Sequence, residues 1–338
     1  MNLIREGVGY VYNYEFKNAR DVIKKISLTY PEHPVVYLLN GMVTYWEHYP
    51  LLAKSPESVS YEKDLKFCVE ICEKPHSQID EAEYLLANLC ARGMLMLFYS
   101  DNSISMEIIK LAPGTYPLIR RSFDFTESYS DFYYFTGLYN YYREAYPDAY
   151  PVYKTLAFLF PNGDKEKGLL ELKLASQSSI VLKAESYMFL SSISTNFEKD
   201  YKLATAYTKS LHELYPANIQ YLALYIKNLL LIKQYDEAER MLRNTRIQRA
   251  NGYFQAQAVI YNGIIQEKKY KNYSTAQQYY NKGVSDIIQY ENIGNEFAAY
   301  AYFGLSRISE INGDRKYAGI YRRQALDLAS FKDITFDD

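Results

Sequence analysis

Apolar residues recur three and four positions apart along most of the chain, the spacing that keeps them on one face of an amphipathic helix. In the opening stretch Leu3, Gly7 and Tyr10 share one such face. After a short break Ala19, Ile23 and Ile26 mark a second helix, which Pro31 closes. Together they predict a helical hairpin, in which the small Gly7 and Ala19 let the backbones approach. The next hairpin begins at His33-Pro34, and Gly41 lies 34 residues after Gly7. Its loop is enlarged by PLLAKSPESVS before YEKDLKFCVEIC supplies the second helix. A third hairpin is expected near Ile79, with Gly93 at the close contact. Its second helix should be kinked or divided where Pro113, Gly114 and Pro117 interrupt the pattern.

The densest aromatic run follows. Asp131 to Arg143 reads as a helix with Gly137 at its crossing point. Tyr146, Pro147, Tyr150 and Pro151 mark a turn before a short apolar helix, Val152 to Phe160. Pro161-Asn162-Gly163 stops that helix, and Asp164 is a good N-cap for KEKGLLELKLASQ. Beyond this the period is explicit. Tyr201 and Tyr235 are 34 residues apart, as are Ala204 and Ala238. Ala276 follows after 38 more residues and Ala318 after 42, while Gly168 precedes Ala204 by 36. The lengthening falls in turns, where insertions project from a stack. The expected fold is all-α: an α-solenoid of about eight stacked antiparallel helix pairs. It forms a single domain over residues 1–330, irregular over 1–178 and more regular over 181–330. FKDITFDD, residues 331–338, is expected to be a frayed acidic tail.

The glycine, aromatic, alanine and terminal proline of the first hairpin, in that order, resemble a tetratricopeptide repeat. The regular repeats from Glu185 to Arg249 carry the resemblance most strongly. The central GLYNYYREAYPDAYPVYKTLAFLF and FPNGDKEKGLLEL are similar to segments of uncharacterised bacterial tetratricopeptide proteins, and more distantly of eukaryotic ones linked to the outer mitochondrial membrane. The resemblance implies a right-handed superhelix, a scaffolding or protein-binding role and no known catalysis. The proline-divided helices and the long loop after Tyr49 depart from the family pattern.

Composition narrows the partners. A net charge of −2 supplies no basic excess for nucleic acid or an anionic membrane surface. No apolar run is long enough to cross a bilayer, since Arg92 and Lys227 interrupt the two longest candidates. With no apolar signal core at its start, the chain reads as cytoplasmic, or as periplasmic or exported if an upstream signal has been removed. Cys68, Cys72 and Cys90 are odd in number; Cys68 and Cys72 share a helix face as buried apolar residues. His33, His48, His76 and His212 form no ligand cluster, and neither a GxSxG elbow nor a phosphate-loop motif occurs around Gly163-Asp164. No metal, cofactor or catalytic role is expected. Arg240, Arg243, Arg246 and Arg249 recur at every third position; helical geometry spreads them over about half the circumference, so they read as an exposed face.

Tyrosine is the outlier, with 38 residues against 16 Phe and 1 Trp. Its ring and polar tip suit both half-buried packing and groove walls. In a stack of helix pairs the first helices line the inner surface, where extended peptides lie. Candidate binding residues on that face are Tyr12, Asn13, Tyr45, Trp46, Tyr134, Tyr141, Tyr142, Lys227, Tyr261 and Arg307. The expected partner is a protein or extended peptide. A second reading is an oligomerisation module, possible homo-oligomer included, of an envelope-associated assembly, motivated by apolar Phe297 and Tyr302 in the last pair. A carbohydrate-binding protein or enzyme would require convergent carboxylates in a deep pocket.

Overall fold

The computed structural model describes residues 2–149, 160–243 and 251–337, and among them every regular element is helical. The helices follow one another in pairs. They are α1 (Asn2–Tyr12) with α2 (Phe16–Thr29), α3 (Pro34–Glu47) with α4 (Glu57–Glu73), α5 (Glu81–Asp101) with α6 (Ser105–Ser122), and α7 (Phe132–Ala149) with α8 (Lys165–Ser178). Then come α9 (Lys183–Asn196) with α10 (Tyr201–Leu214), α11 (Ile219–Leu231) with α12 (Tyr235–Leu242), α13 (Gly252–Lys268) with α14 (Tyr273–Ile287), and α15 (Asn295–Ile311) with α16 (Arg315–Leu328). From α1 to α8, and again from α10 to α16, each helix packs on its neighbours in the chain. The chain forms two compact units, Met1–Leu190 and Ser191–Asp338.

One local device recurs in the turns between paired helices. Tyr14, Ser103, Lys199, Lys233, Lys271 and Gly313 all adopt positive φ, between 53° and 78°. Each sits just after a first helix, where a left-handed residue lets the next amide turn back onto the helix's last free carbonyls. The Glu15 amide thus donates to the Tyr10 carbonyl, Ile104 to Tyr99, Gln234 to Leu229 and Asp314 to Ser309. Five residues beyond the left-handed position lie Ala19, Ala204, Ala238, Ala276 and Ala318, all buried where the second helix crosses the first. The alanine register read from sequence is therefore set by the turn geometry. Side-chain caps add to it: Asp164, Asp200, Asn251, Asn272 and Asp314 each accept the amide three residues on. Each such cap is worth about 1 kcal/mol.

The first unit carries the irregular features, and several differ from expectation. α6 runs unbroken through Pro113 and Pro117, and α7 continues past Pro147 to Ala149. Proline forfeits one hydrogen bond, but packing against neighbouring helices holds the remaining ladder. A Cβ at Gly93 would meet nothing within 4 Å, so this glycine is not a close contact. Gly137 and Gly168 are: a Cβ on Gly168 would lie 2.6 Å from the Tyr141 amide nitrogen and 2.8 Å from the Gly137 carbonyl oxygen. The loop after Tyr49 is tied down by Asn102, which accepts from the Ala53 amide at 2.7 Å and donates to the Leu51 carbonyl at 3.2 Å. The buried Asp131 carboxylate accepts the amides of Ile180, Val181 and Leu182, leading the chain from the fourth pair into α9. The short helix expected over Val152 to Phe160 falls almost wholly outside the described residues, as do Arg246 and Arg249.

In the second unit α11, α13 and α15 bury residues around most of their circumference, whereas α10, α14 and α16 bury one stripe. A helix apolar all round must be covered on both sides. The paired second helices supply one cover, and the last residues of the chain supply part of the other.

Candidate functional site: the inner helices and the carboxy-terminal tail

In the first unit the expected face is mostly filled by its own rings. Trp46 on α3 stands edge-on to Tyr12 at 5.8 Å and to Tyr45 at 5.5 Å, and stacks on Tyr49 at 5.5 Å. Tyr134 meets Phe189 of α9 at 5.7 Å, and Tyr142 meets both Tyr141 and Phe189. Tyr12, Tyr45, Trp46, Tyr134 and Tyr141 are buried; Asn13 and Tyr142 are half-buried, and Asn13 donates to Glu15 at 2.6 Å. The five buried rings therefore pack the core here instead of walling an open groove. Truncating Tyr141 and Trp46 would therefore open cavities in the core.

At the centre of this packing is a carboxyl group that sequence reasoning missed. Tyr12 donates its hydroxyl to Oε1 of Glu185, 173 positions away. Glu185 and Phe189 lie one turn apart on α9, so this helix joins the rings of α1 and α3 to those of α7. The other oxygen, Oε2, is sealed from solvent with no hydrogen-bond partner. Burial pushes the carboxyl up from its ordinary 4.5 to about 8, because a charged carboxylate would be left poorly solvated. At neutral pH it is largely protonated.

The second unit gathers the other three expected residues on adjacent first helices. Lys227 on α11 reaches Glu296 on α15 at 3.5 Å, and Tyr300 also donates to Glu296. Tyr261 on α13 is buried against Phe297, at 6.2 Å. Phe297 is thus a core residue, and Tyr302 stacks on Tyr321 at 6.1 Å, so neither is the uncovered apolar group that favoured oligomerisation. Arg307 forms a fork with Glu267 of α13, Nε to Oε1 at 2.6 Å and Nη2 to Oε2 at 2.9 Å. Tyr280 donates to the same Oε2 at 2.6 Å. Glu267 is only 3% exposed, so these partners hold its charge inside the unit.

The remaining nitrogen of Arg307 faces the tail. Nη1 donates to the Thr335 carbonyl at 2.5 Å and to the Asp337 carboxylate at 2.9 Å. The segment expected to fray is packed: Ile334 is 1% exposed and Phe336 8%, with the Phe336 ring 5.0 Å from Tyr300. Phe331 lies 5.9 Å from Phe197, and Asp333 pairs with Lys199 at 3.1 Å. The tail therefore crosses from the last pair back to the turn after α9. Beside it lies a cavity of about 190 Å³, walled by Tyr201, Leu230, Leu231, Lys233 and Tyr235 together with the tail itself. The apolar Ile334 and Phe336 were the available signal for a packed segment. Its shortness and acidity hid it.

Among the described residues no cluster of three or more His, Cys, Asp or Glu side chains is placed to hold a metal, and no helix is long and apolar enough to cross a membrane. The three cysteines are buried free thiols. Arg240 and Arg243 pair along their own helix with Glu237 and Glu239. Fold and site together define the class: an all-helical array of consecutive helix pairs, in one unit of which the carboxy-terminal segment packs against charged and aromatic residues of the first helices. No protein-family model matches the chain, and no curated protein matches it.

Proposed function

We propose that the chain is a non-catalytic scaffold of the tetratricopeptide kind that binds a protein or extended peptide through the inner faces of its helix pairs. The observation that carries this reading is the way Arg307 holds the tail. One guanidinium, braced from behind by Glu267, takes a main-chain carbonyl and an acidic side chain of the tail at once. Main-chain contacts give affinity for any extended chain, and the flanking pockets for Ile334 and Phe336 give side-chain selectivity. The buried rings of the first unit serve as the frame in this reading, and the open chemistry belongs to α11, α13, α15 and the turns beside them.

The test is an array of extended synthetic peptides varied in charge and apolar spacing, probed with the purified chain. Binders carrying a photoreactive group are then cross-linked and mapped by mass spectrometry. Cross-links on α11, α13 and α15 are expected. An array without binders, or cross-links confined to the outer second helices, would refute the reading.

A further inference from the structure

We infer that residues 331–337 are a displaceable resident of the inner face of the second unit. The same face takes, from a partner protein, an acidic segment with the order apolar, any residue, aromatic, acidic. The inference rests on the peptide-binding reading above and deepens it by naming the segment and its regulation.

The tail itself specifies the ligand. Ile334 and Phe336 are both buried, one on each side of Thr335, after a turn in which the Ile334 amide donates to the Phe331 carbonyl. Arg307 fixes the carbonyl between them and the carboxylate that follows. Lys199 receives the acid one position before Ile334. A segment of another protein with the same order finds the same partners.

The tail is also poorly suited to be permanent. Phe336 is held at φ 56°, the left-handed region that a bulky side chain avoids. Two apolar anchors are set against the ordering of seven residues of backbone. What keeps the tail in place is its tether: α16 ends at Leu328, so the segment is presented at a high effective concentration that a free competitor must overcome. The tail is thus an internal competitor that raises the threshold for partner binding.

The probe is the fluorescein-labelled peptide SFKDITFDD, titrated into the full chain and into the full chain carrying Ile334→Ser and Phe336→Ser. The double variant should bind at least about tenfold more tightly than the native chain. A peptide bearing the same two serines should not bind. In parallel, excess unlabelled peptide should speed amide exchange in residues 331–337 of the native chain. The inference is overturned if a variant with native helix content fails to bind, if both chains bind equally, or if the tail's exchange does not change. Should the variant lose helix content, exchange on the native chain decides alone. A concentration-dependent dimer that the peptide dissolves would assign the face to the tail of a second copy and overturn a distinct partner. Array binders of a different order, cross-linked to the same face, would sink this inference and leave the general peptide-binding reading standing.

Discussion

Replacing Glu185 with glutamine should make the first unit less sensitive to alkali. In the folded chain the Glu185 carboxyl holds its proton up to about pH 8, whereas an exposed one releases it near 4.5. Between those values the native state binds a proton that the unfolded chain has already lost. Stability is therefore greatest in acid and falls as pH rises through this window. Each pH unit well inside the window costs about 1.4 kcal/mol and less near its two ends, so the loss between pH 5 and pH 8 reaches at most about 3.5 kcal/mol. Solvent at the partly exposed remainder of the side chain reduces that limit. The reporter is built in: Trp46 is the one tryptophan, and it packs on Tyr12, whose hydroxyl reaches Glu185. Urea unfolding followed by Trp46 fluorescence at intervals from pH 5 to 8.5 gives the slope for each protein. Asp101, pushed up to about 7 by burial, adds a slope of the same sign. Subtracting the Glu185→Gln slope from the native one cancels Asp101 and every other titrating group. Glutamine keeps the shape and an acceptor for Tyr12 and cannot ionise. If both proteins lose stability equally with rising pH, the account of Glu185 as a buried acid is wrong.

Arg307→Ala should destabilise the second unit by about 3 kcal/mol, because it leaves Glu267 buried with only Tyr280 and a more distant Lys268. Pairing it with Glu267→Gln should recover most of the loss; urea unfolding followed by far-ultraviolet circular dichroism measures both, and a single-variant cost below ~1 kcal/mol would contradict the network. Two glycine substitutions should have opposite signs. Gly168→Ala presses a methyl onto the Tyr141 and Gly137 backbones and should cost about 1–3 kcal/mol, while Gly93→Ala, on an open helix face, should gain about 0.5–1 kcal/mol. Thermal melts of the two variants beside the native chain check the contrast, and a shift of the same sign in both would undo it.

Helices, their pairing and the crossing points of the regular repeats were legible because they depend on residues a few positions apart. Periodicity placed α10, α12, α14 and α16 through Ala204, Ala238, Ala276 and Ala318, and Asp164 declared the start of α8. The turns were harder to read: five of the six left-handed positions are occupied by Tyr, Ser or Lys, and only Gly313 carries the residue that marks such a turn. Prolines misled in α6 and α7, where packing outweighs the lost hydrogen bond. Gly93 misled because a glycine at the right spacing does not reveal whether a neighbour approaches it.

The candidate site was legible only in part. Lys227, Tyr261 and Arg307 could be placed on first helices, since a helix face follows from a turn of 100° per residue. Whether a face stays open depends on what the rest of the chain lays over it. Tyr12 meets Glu185 across 173 positions, a contact that only tertiary packing can make. Arg307 meets Thr335 and Asp337 because the chain turns back after α16 and lies along the inner helices. Local pattern thus sets which side chains share a helix face. The tertiary packing of the pairs, and the path of residues 331–337, decides which of those side chains become core and which meet the tail.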